Sequence, residues 1–237
     1  IADGDWSSDV CSSDLKKYGA DIMTRMDFAR KKDGKKLQKE LRESIYKIVK
    51  SLANQTKSAI SKINIVGNTF IHHSFCGLDL QPLMTIPYKA ASLDKSTFHL
   101  SELDWSIDGE PQVTFLPNLG GYVGSDILAG ILSTELYKSQ DISLLIDIGT
   151  NGEIVLGNQE QIYFASTAAG PAFEGGKIKM GMRADRGAIT HAHCKDKEII
   201  AEVKDNGIPR GICGSGLLDA VACGLRLGKI DQSGRLL

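Results

Sequence analysis

The sequence predicts an α/β fold, and three observations lead to this prediction. An amphipathic pattern over residues 35–55 has the period of a helix, with Leu37, Leu41 and Ile45 on its apolar side. Short apolar segments over residues 142–166, separated by Gly/Asn turns, have the pattern of a β meander. The 237 residues are 42% hydrophobic and 24% charged, which suffices for one large domain or two small lobes.

Composition and charge exclude several functional classes. The chain has 28 Lys and Arg against 29 Asp and Glu, so its formal net charge of -1 gives no broad attraction for nucleic acid or an anionic membrane. No stretch approaches the roughly 20 apolar residues that a membrane-spanning helix needs. The five cysteines form no Cys-x-x-Cys pair, which argues against a self-contained zinc or iron–sulfur site and favours a reducing compartment, the cytoplasm.

The two ends of the chain do not have the pattern of natural termini. Residues 1–15 have neither a helical nor a strand period, and most of this stretch resembles the translation of a common sequencing adaptor. We therefore expect residues 1–15 to be a non-native segment, with a short disordered polar arm as the alternative. Residues 228–237 stop just after a turn signal, so we expect the chain to be an internal fragment of a longer protein.

The first half of the chain predicts one long helix and a short strand–helix unit. The helix over residues 35–55 places apolar residues at spacings of three and four between Lys, Glu and Arg. Residues 63–66 are typical of a buried strand, and a helix over residues 70–76 follows, ended by Gly77. Residues 80–116 have three prolines and mixed polarity, and their pattern predicts no element.

The second half predicts a helix, a meander, a hairpin and a last helix. Ser125 and Asp126 are candidates for the N-cap of the first of these helices. The later elements, in order, are strands over 142–146, 153–156 and 161–166, a Gly/Ala/Pro loop over 167–176, strands over 188–194 and 199–203, and a helix over 217–227.

The turn between the first two strands of the meander has the composition of a phosphate-binding loop. Gly149 and Gly152 allow a positive φ and leave no Cβ between backbone N–H groups and an anion. Thr150 adds a hydroxyl donor, and Asp147 at the end of an apolar strand can position hydrated Mg²⁺ or an attacking water. The alternative is an ordinary type I′ hairpin built on the Asn151-Gly152 pair, although a hairpin alone explains neither the Asp nor the Thr.

Residues 144–153 resemble the second phosphate motif of the acetate and sugar kinase/heat-shock chaperone/actin (ASKHA) superfamily. Further segments, in their order along the chain, narrow the resemblance to the ATP-dependent reductive activators of corrinoid proteins. The resemblance extends from about Tyr18 to the end of the sequence. Its segments are Val66-Gly67-Asn68-Thr69, Leu116-Pro117-Asn118, Val123-Gly124-Ser125-Asp126, residues 166–175, Gly181-Met182-Arg183-Ala184 and residues 209–217.

This resemblance implies an α/β fold of the two-lobed, ribonuclease-H-like ATPase type, incomplete at both ends. Residues 16–140 would be the remainder of the first ATPase lobe and the connection between the lobes, and residues 141–237 the start of the second lobe. ATP and Mg²⁺ are the implied cofactors, with a 2Fe–2S cluster in the longer protein but not in this chain. The implied partner is a corrinoid protein, a homodimer is a candidate assembly, and neither nucleic acid nor a membrane is expected.

The resemblance also implies roles for the residues of the turn. Asp147 would be a catalytic residue and the metal ligand, because it would orient Mg²⁺ or the attacking water. Gly149, Thr150, Asn151 and Gly152 would bind the phosphates. Since the first phosphate loop and the adenosine-binding segment are not recognisable in the sequence, we expect this fragment alone to bind ATP weakly and to be inactive.

Three further candidates each keep a structural alternative. Asp126 stands where related sugar kinases place a catalytic carboxylate, but it could equally cap a helix. Glu174 lies in a Gly/Pro-rich loop, where it could meet Mg²⁺ or only solvent. Gly214, Ser215 and Gly216 open a helix and are cofactor-binding candidates, although tight packing alone would explain the glycines.

Four histidines are predicted to be structural. We expect one of His72 and His73 to face the core and the other to face solvent. His191 and His193 alternate along one strand and, with Cys194, could suggest a metal site, but no fourth ligand stands at a usable spacing.

The function implied by the resemblance is ATP-dependent return of inactive cob(II)alamin to cob(I)alamin on a corrinoid protein. Two alternatives belong to other classes: a small-molecule kinase of the same superfamily, and a non-enzymatic, nucleotide-gated module that only binds a corrinoid protein. Four upstream cysteines at ferredoxin spacing would favour the activator over the kinase. ATP hydrolysis stimulated by a corrinoid protein would favour it over the binding module.

Overall fold

The computed structural model describes residues 18–19, 22–30, 34–56, 59–149, 151–168 and 178–237. The segment 1–15 and the site candidates Thr150 and Glu174 lie outside these residues. The helices are α1 (Ile22–Phe28), α2 (Gly34–Thr56), α3 (Thr69–Cys76), α4 (Gln81–Met84), α5 (Ser125–Ser133) and α6 (Gly214–Arg226). The strands are β1 (Lys62–Ile65), β2 (Ser96–Phe98), β3 (Gln112–Phe115), β4 (Ser143–Ile148), β5 (Asn151–Gly157), β6 (Ile162–Ala168), β7 (Ala188–Lys195), β8 (Glu198–Val203) and β9 (Gly211–Ile212).

The chain forms two compact units. Unit one comprises residues 1–145 and 155–165, and unit two comprises residues 146–154 and 166–237. No helix in the described part of the chain is long and apolar enough to cross a membrane.

Unit one contains a three-stranded sheet in the order β1-β3-β2. β1 runs parallel to β3, with Ile65 beside Phe115, and β2 pairs with β3 in the antiparallel sense. The long helix α2 agrees with the prediction, and its Leu37 and Leu41 are buried in one hydrophobic cluster with Phe75 and Phe115. The leucines four residues apart lie on the same side of α2, which explains why both reach this cluster.

The ends of α3 agree with the sequence prediction. The Asn68 side chain accepts a hydrogen bond from the Ile71 N–H at 3.0 Å, and so caps the helix N-terminus. Gly77 ends the helix in the left-handed region, with φ 74°, and its N–H donates to the His73 carbonyl oxygen.

The prediction for the two histidines of α3 was wrong, because both are fully buried. His72 packs its ring edge-on against Phe115, with 4.9 Å between ring centroids. His73 is covered by the loop that follows α4, where its Nε2 accepts a hydrogen bond from the Ala91 N–H at 3.0 Å. A covering loop of this kind has no periodic signal, so helix position alone suggested that one ring would face solvent.

The predicted meander is present as a second sheet, in the order β4-β5-β6. Its connections are two and four residues long, which is possible only between antiparallel neighbours. Val155 of β5 is fully buried and packs with Ile127 and Ile131 of α5 in the second hydrophobic cluster of unit one.

The third sheet lies in unit two and has the order β8-β7-β9. β7 and β8 form the predicted antiparallel hairpin, and β9 adds a short parallel pairing with Ala188 beside Gly211. The helix α6 packs against β7. It begins at Gly214, three residues before the predicted start, with Cys213 in the N-cap position.

Candidate functional site

The candidate phosphate-binding turn is tighter than the sequence predicted. Only two residues separate β4 from β5, so Asp147 lies within β4, whereas Asn151 and Gly152 already belong to β5. The Gly149 N–H donates to the Asn151 carbonyl oxygen at 2.9 Å and closes the connection. The prediction that Asn151 and Gly152 form part of the turn was therefore wrong, because strand pairing resumes immediately after Thr150.

Asp147 lies one residue before the end of β4, and its side chain is exposed. No hydrogen bond or ion pair joins its carboxylate to another residue in the described part of the chain. Alternation along β4 places Asp147 on the same face as Leu145, which packs against the cluster around Val155. A strand holds the Asp147 backbone in place while its carboxylate stays available for a ligand.

A second carboxylate, which the sequence analysis missed, lies on the neighbouring strand. Glu153 alternates with Val155 on β5, and Leu145 and Val155 pack in one cluster, so Glu153 and Asp147 project from the same face. Glu153 is half-buried, and its Oε1 accepts a hydrogen bond from the Ser166 hydroxyl at 3.1 Å. The sequence signal was present in the alternation of β5, but a single Glu after Gly152 is typical of any exposed strand.

Neither Gly149 in the turn nor Gly152 at the start of β5 is packed so closely by the described residues that a Cβ would collide. Neither Gly149 nor Gly152 has a positive φ, so backbone conformation does not demand glycine at either position. A Cβ at Gly149 would lie 3.4 Å from the Asn151 carbonyl oxygen, and a Cβ at Gly152 would lie 3.4 Å from Thr167 Cγ2. Both are ordinary contacts. The missing side chains therefore leave room beside the backbone for a ligand such as a phosphate group.

The glycine segment at the start of α6 is used for packing. A Cβ at Gly216 would collide with the Ile189 carbonyl oxygen, so close approach of helix and strand requires glycine there. The Ser215 hydroxyl donates to the Thr190 carbonyl oxygen at 2.9 Å and lies 3.1 Å from the Cys213 sulfur. Gly214 is buried in the first turn. These contacts support the packing alternative for Ser215 and Gly216.

Asp126 belongs to unit one, at the first turn of α5. The N-cap is Gly124, not Ser125 or Asp126 as predicted, because its backbone is still extended and packs against the Gly67 carbonyl oxygen. The Asp126 Oδ1 accepts a hydrogen bond from the Ile127 N–H at 2.9 Å.

Asp126 also lies near the carboxyl ends of two parallel strands, β1 and β3. Gly67 follows β1, Asn118 follows β3, and Ser125 bonds to both, with its N–H donating to the Gly67 carbonyl oxygen at 3.0 Å and to Asn118 Oδ1 at 3.1 Å. The carboxyl ends of parallel strands are the usual place for ligands in α/β sheets. Asp126 thus has both a capping contact and a position suited to ligand binding.

The histidines of β7 contact carboxylates individually. His191 Nδ1 lies 3.2 Å from Asp219 Oδ2, and His193 Nδ1 lies 3.4 Å from Glu202 Oε1. Within the described residues, no three His, Cys, Asp or Glu side chains are grouped closely enough to hold a metal ion.

Both halves of the chain match models of protein families. Residues 9–139 match the RACo middle region, and residues 141–237 match the C-terminal domain of RACo, the ASKHA domain. The hairpin with Asp147 therefore lies near the beginning of the matched ASKHA segment. This match confirms the predicted fold class.

Characterised relatives and a solved structure are similar over most of the chain. The corrinoid activation enzyme RamQ of Eubacterium limosum is 34% identical over 226 residues, which are 93% of this chain and 38% of the relative. The [Co(II) methylated amine-specific corrinoid protein] reductase of Methanosarcina barkeri is 34% identical over 142 residues, which are 51% of this chain and 26% of the relative. The structure of a reductive activator for corrinoid,iron-sulfur protein superimposes with a TM-score of 0.79 at 34% identity, covering 94% of this chain and 37% of that one. The chain thus spans less than two fifths of the length of these proteins.

Proposed function

The chain belongs to the RACo family, and on that premise we propose that it is the nucleotide-binding part of an ATP-dependent reductive activator. The whole protein would return a corrinoid protein from the inactive cob(II)alamin state to cob(I)alamin. The observation that carries this proposal is the β4–β5 hairpin, in which the exposed Asp147, with no partner among the described residues, stands beside two glycines where a Cβ would make only an ordinary contact with those residues.

The residues of this hairpin fit the triphosphate of ATP and its Mg²⁺. Oxygen ligands suit Mg²⁺, which usually keeps several waters and takes one or two carboxylates from the protein. Asp147 would hold the hydrated ion, and Glu153 on the same face would orient one of its waters. The absence of a Cβ at Gly149 and Gly152 lets phosphate oxygens approach the backbone of the hairpin. When bound, Mg²⁺ offsets the negative charge of the phosphates.

Asp126 would be a second catalytic carboxylate that assists an attacking water. Its carboxylate can accept a proton or orient a water, provided that it is released from the Ile127 N–H. The packing contacts of Ser215 and Gly216 limit these residues to positioning the start of α6, whose first N–H groups would face the nucleotide.

The electron would come from a 2Fe–2S domain in the part of the whole protein that this chain does not include. The partner that receives it would be a corrinoid protein, and the names of all three relatives support this choice. The protein would act in the cytoplasm, with a homodimer as the assembly. The balanced charge of the chain supports a protein partner over nucleic acid.

The test uses a polypeptide of the relatives' full length that contains this chain. It is mixed with a corrinoid protein in the Co(II) state and a low-potential electron donor, and the Co(I) absorption is followed while phosphate release is measured. We expect Co(I) formation to require ATP, with phosphate release stimulated by the corrinoid protein. Phosphorylation of a small molecule would identify a kinase, and binding without reduction would identify a docking module. Either result would overturn the proposal.

A further inference from the structure

Two cysteines of unit two share the interface between β7 and α6. The Cys194 thiol donates to the Cys223 carbonyl oxygen at a sulfur–oxygen distance of 3.8 Å. The Cys223 thiol donates to the Ala192 carbonyl oxygen at 3.7 Å. Each sulfur reaches across to the element of the other cysteine, and the two side chains are close enough to interact with each other. Both cysteines are free thiols.

The two thiols differ in access to solvent. Cys223 is 5% exposed, whereas Cys194 is only partly buried, so a small reagent reaches Cys194 first. The hydrogen bond to Cys194, followed by burial, raises the pKa of the Cys223 thiol. A thiol with a raised pKa is a slow nucleophile toward external reagents, because the thiolate is the reacting form. Cys194 is therefore the attacking thiol, and Cys223 the resolving one.

The other described cysteine of unit two, Cys213, is poorly placed to compete. Cys213 precedes Cys223 by ten residues, which corresponds to roughly 15 Å along the helix. Its sulfur instead contacts the Ser215 hydroxyl at 3.1 Å. Cys76 lies in unit one, on α3.

We propose that Cys194 and Cys223 form a reversible dithiol–disulfide pair, which covalently joins β7 to α6. The Cys194 thiolate attacks a low-molecular-weight disulfide, such as glutathione disulfide, and displaces one half as a thiol. Cys223 then attacks the Cys194 sulfur of the mixed disulfide, and the second half leaves as a thiol. One protein S–S bond replaces one small-molecule S–S bond, and the protons of the two protein thiols pass to the released thiols.

The disulfide would restrict α6 at a defined place. Cys223 lies in the last third of this helix, so the bond would hold α6 against β7 beyond the contacts of Ser215 and Gly216. Separation of helix and strand would then require reduction. This site does not depend on nucleotide binding, so its test is independent of the proposed function.

The first experiment traps the pair in the unmodified chain. Dibromobimane becomes strongly fluorescent when it bridges two neighbouring thiols, and we expect bridging of the reduced native protein without any oxidant. In parallel, the chain is incubated with glutathione disulfide and analysed by mass spectrometry without reduction. We expect loss of two hydrogens and a cross-linked peptide containing Cys194 and Cys223, both reversed by dithiothreitol.

Variants separate this pair from the other cysteines. Cys194→Ser and Cys223→Ser should each abolish bridging, whereas Cys213→Ser, a matched change at the start of the same helix, should retain it. If Cys223→Ser fails to fold, the bridging and peptide mapping of the unmodified chain still decide the question. A stable glutathione adduct on Cys194, a cross-link to Cys213, or absence of bridging in the native chain would overturn the proposal.

Discussion

The Ser215 hydroxyl donates a hydrogen bond to the Thr190 carbonyl oxygen at 2.9 Å and begins a row of contacts between α6 and β7. Asp219 and Cys223 follow at intervals of four residues, and both bond to Ala192, through its N–H and its carbonyl oxygen respectively. β9 pairs only with the first two residues of β7, and further along that strand edge side chains of α6 bond to backbone groups of Thr190 and Ala192. A helix that satisfies a strand edge in this way must approach it closely.

Gly216→Ala tests this close approach. Alanine is favoured over glycine inside a helix by about 1 kcal/mol, but here its Cβ would collide with the Ile189 backbone carbonyl, which has little freedom to move. We expect a net destabilisation of about 1–3 kcal/mol, measured by urea unfolding of the chain followed by circular dichroism. Gly224→Ala in the same helix is the comparison variant, because its Cβ would lie 2.6 Å from Cδ1 and 2.9 Å from Cγ1 of Ile230, a side chain that can shift more easily than a backbone carbonyl. Equal stability of the two variants would contradict the packing role.

Gly149→Ala tests the open space at the candidate phosphate site. The new Cβ would make only an ordinary contact within the chain, so we expect the free energy of unfolding to change by less than about 0.5 kcal/mol. ATP hydrolysis by the full-length protein should fall at least about tenfold, because the methyl group would occupy the space left for a phosphate oxygen. If stability fell and hydrolysis did not, the glycine would be required by the fold and not by a ligand.

Asp147→Asn removes the charge proposed to hold Mg²⁺ and preserves the side-chain shape. The carboxylate makes no contact within the described chain that the change would break, so we expect the fold to survive. ATP hydrolysis in the full-length protein should fall at least about 10²-fold, measured as phosphate release. Asp141→Asn is the control, because Asp141 is an exposed acid just before the same strand. Comparable rates of ATP hydrolysis in the two variants would show that the hairpin only connects two strands.

Asp126→Asn distinguishes the two roles of that residue. Asparagine keeps an Oδ1 that can accept the hydrogen bond from the Ile127 N–H, so the first turn of α5 should be retained. We expect ATP hydrolysis by the full-length protein to fall at least about tenfold at unchanged thermal stability. A variant with wild-type turnover would leave Asp126 with the capping role alone.

The sequence predicted those elements whose stabilising signals lie within their own residues. The helix α2 was predicted because its leucines recur at the helical period, and α3 because Asn68 and Gly77 provide its capping signals. The central strand β3 was missed, because its four residues gain their stability from β1, far earlier in the chain. The same limit explains the buried His73, whose cover comes from the loop at Ala91.

The candidate site was predictable in composition but not in geometry. Asp147 and Gly149 stand out because an apolar strand precedes them, and the structure keeps both at the hairpin. Asn151 and Gly152 were assigned to the turn by their residue types, yet pairing with β4 draws them into β5. The contacts of Ser215 with β7 could not be foreseen, because they depend on how a helix meets the edge of a distant strand.

The buried His72 makes the stability of unit one depend on pH. Burial and, to a smaller extent, the neighbouring His73 together lower the pKa of His72 to about 4, against a smaller opposing effect of the Asp94 backbone. Neither ring nitrogen of His72 has a partner with hydrogen-bond geometry among the described residues. His73 also has a lowered pKa, and its neutral form is held by the Thr69 carbonyl oxygen at Nδ1, 2.8 Å away, and the Ala91 N–H at Nε2.

The sign of the pH dependence follows from these values. An unfolded chain protonates His72 near its ordinary pKa of about 6.5, whereas the folded chain does so only near 4. Between these values the unfolded state binds a proton that the folded state excludes. The stability contributed by neutral His72 is therefore complete above about pH 6.5 and is lost as the pH falls toward 4, by roughly 3 kcal/mol in total. His73 shifts stability in the same direction.

His72→Leu should flatten this dependence. Leucine fills the buried site without a titratable group, and neither His72 ring nitrogen has a partner with hydrogen-bond geometry among the described residues, so the change breaks at most a weak contact with the Asp94 backbone. We expect the loss of unfolding free energy between pH 7.5 and 5 to be about 2 kcal/mol smaller in the variant than in the unmodified chain, measured by urea unfolding at each pH. Parallel curves for His72→Leu and the unmodified chain would show that His72 is protonated in the folded state, and that water reaches a core which the structure shows as closed.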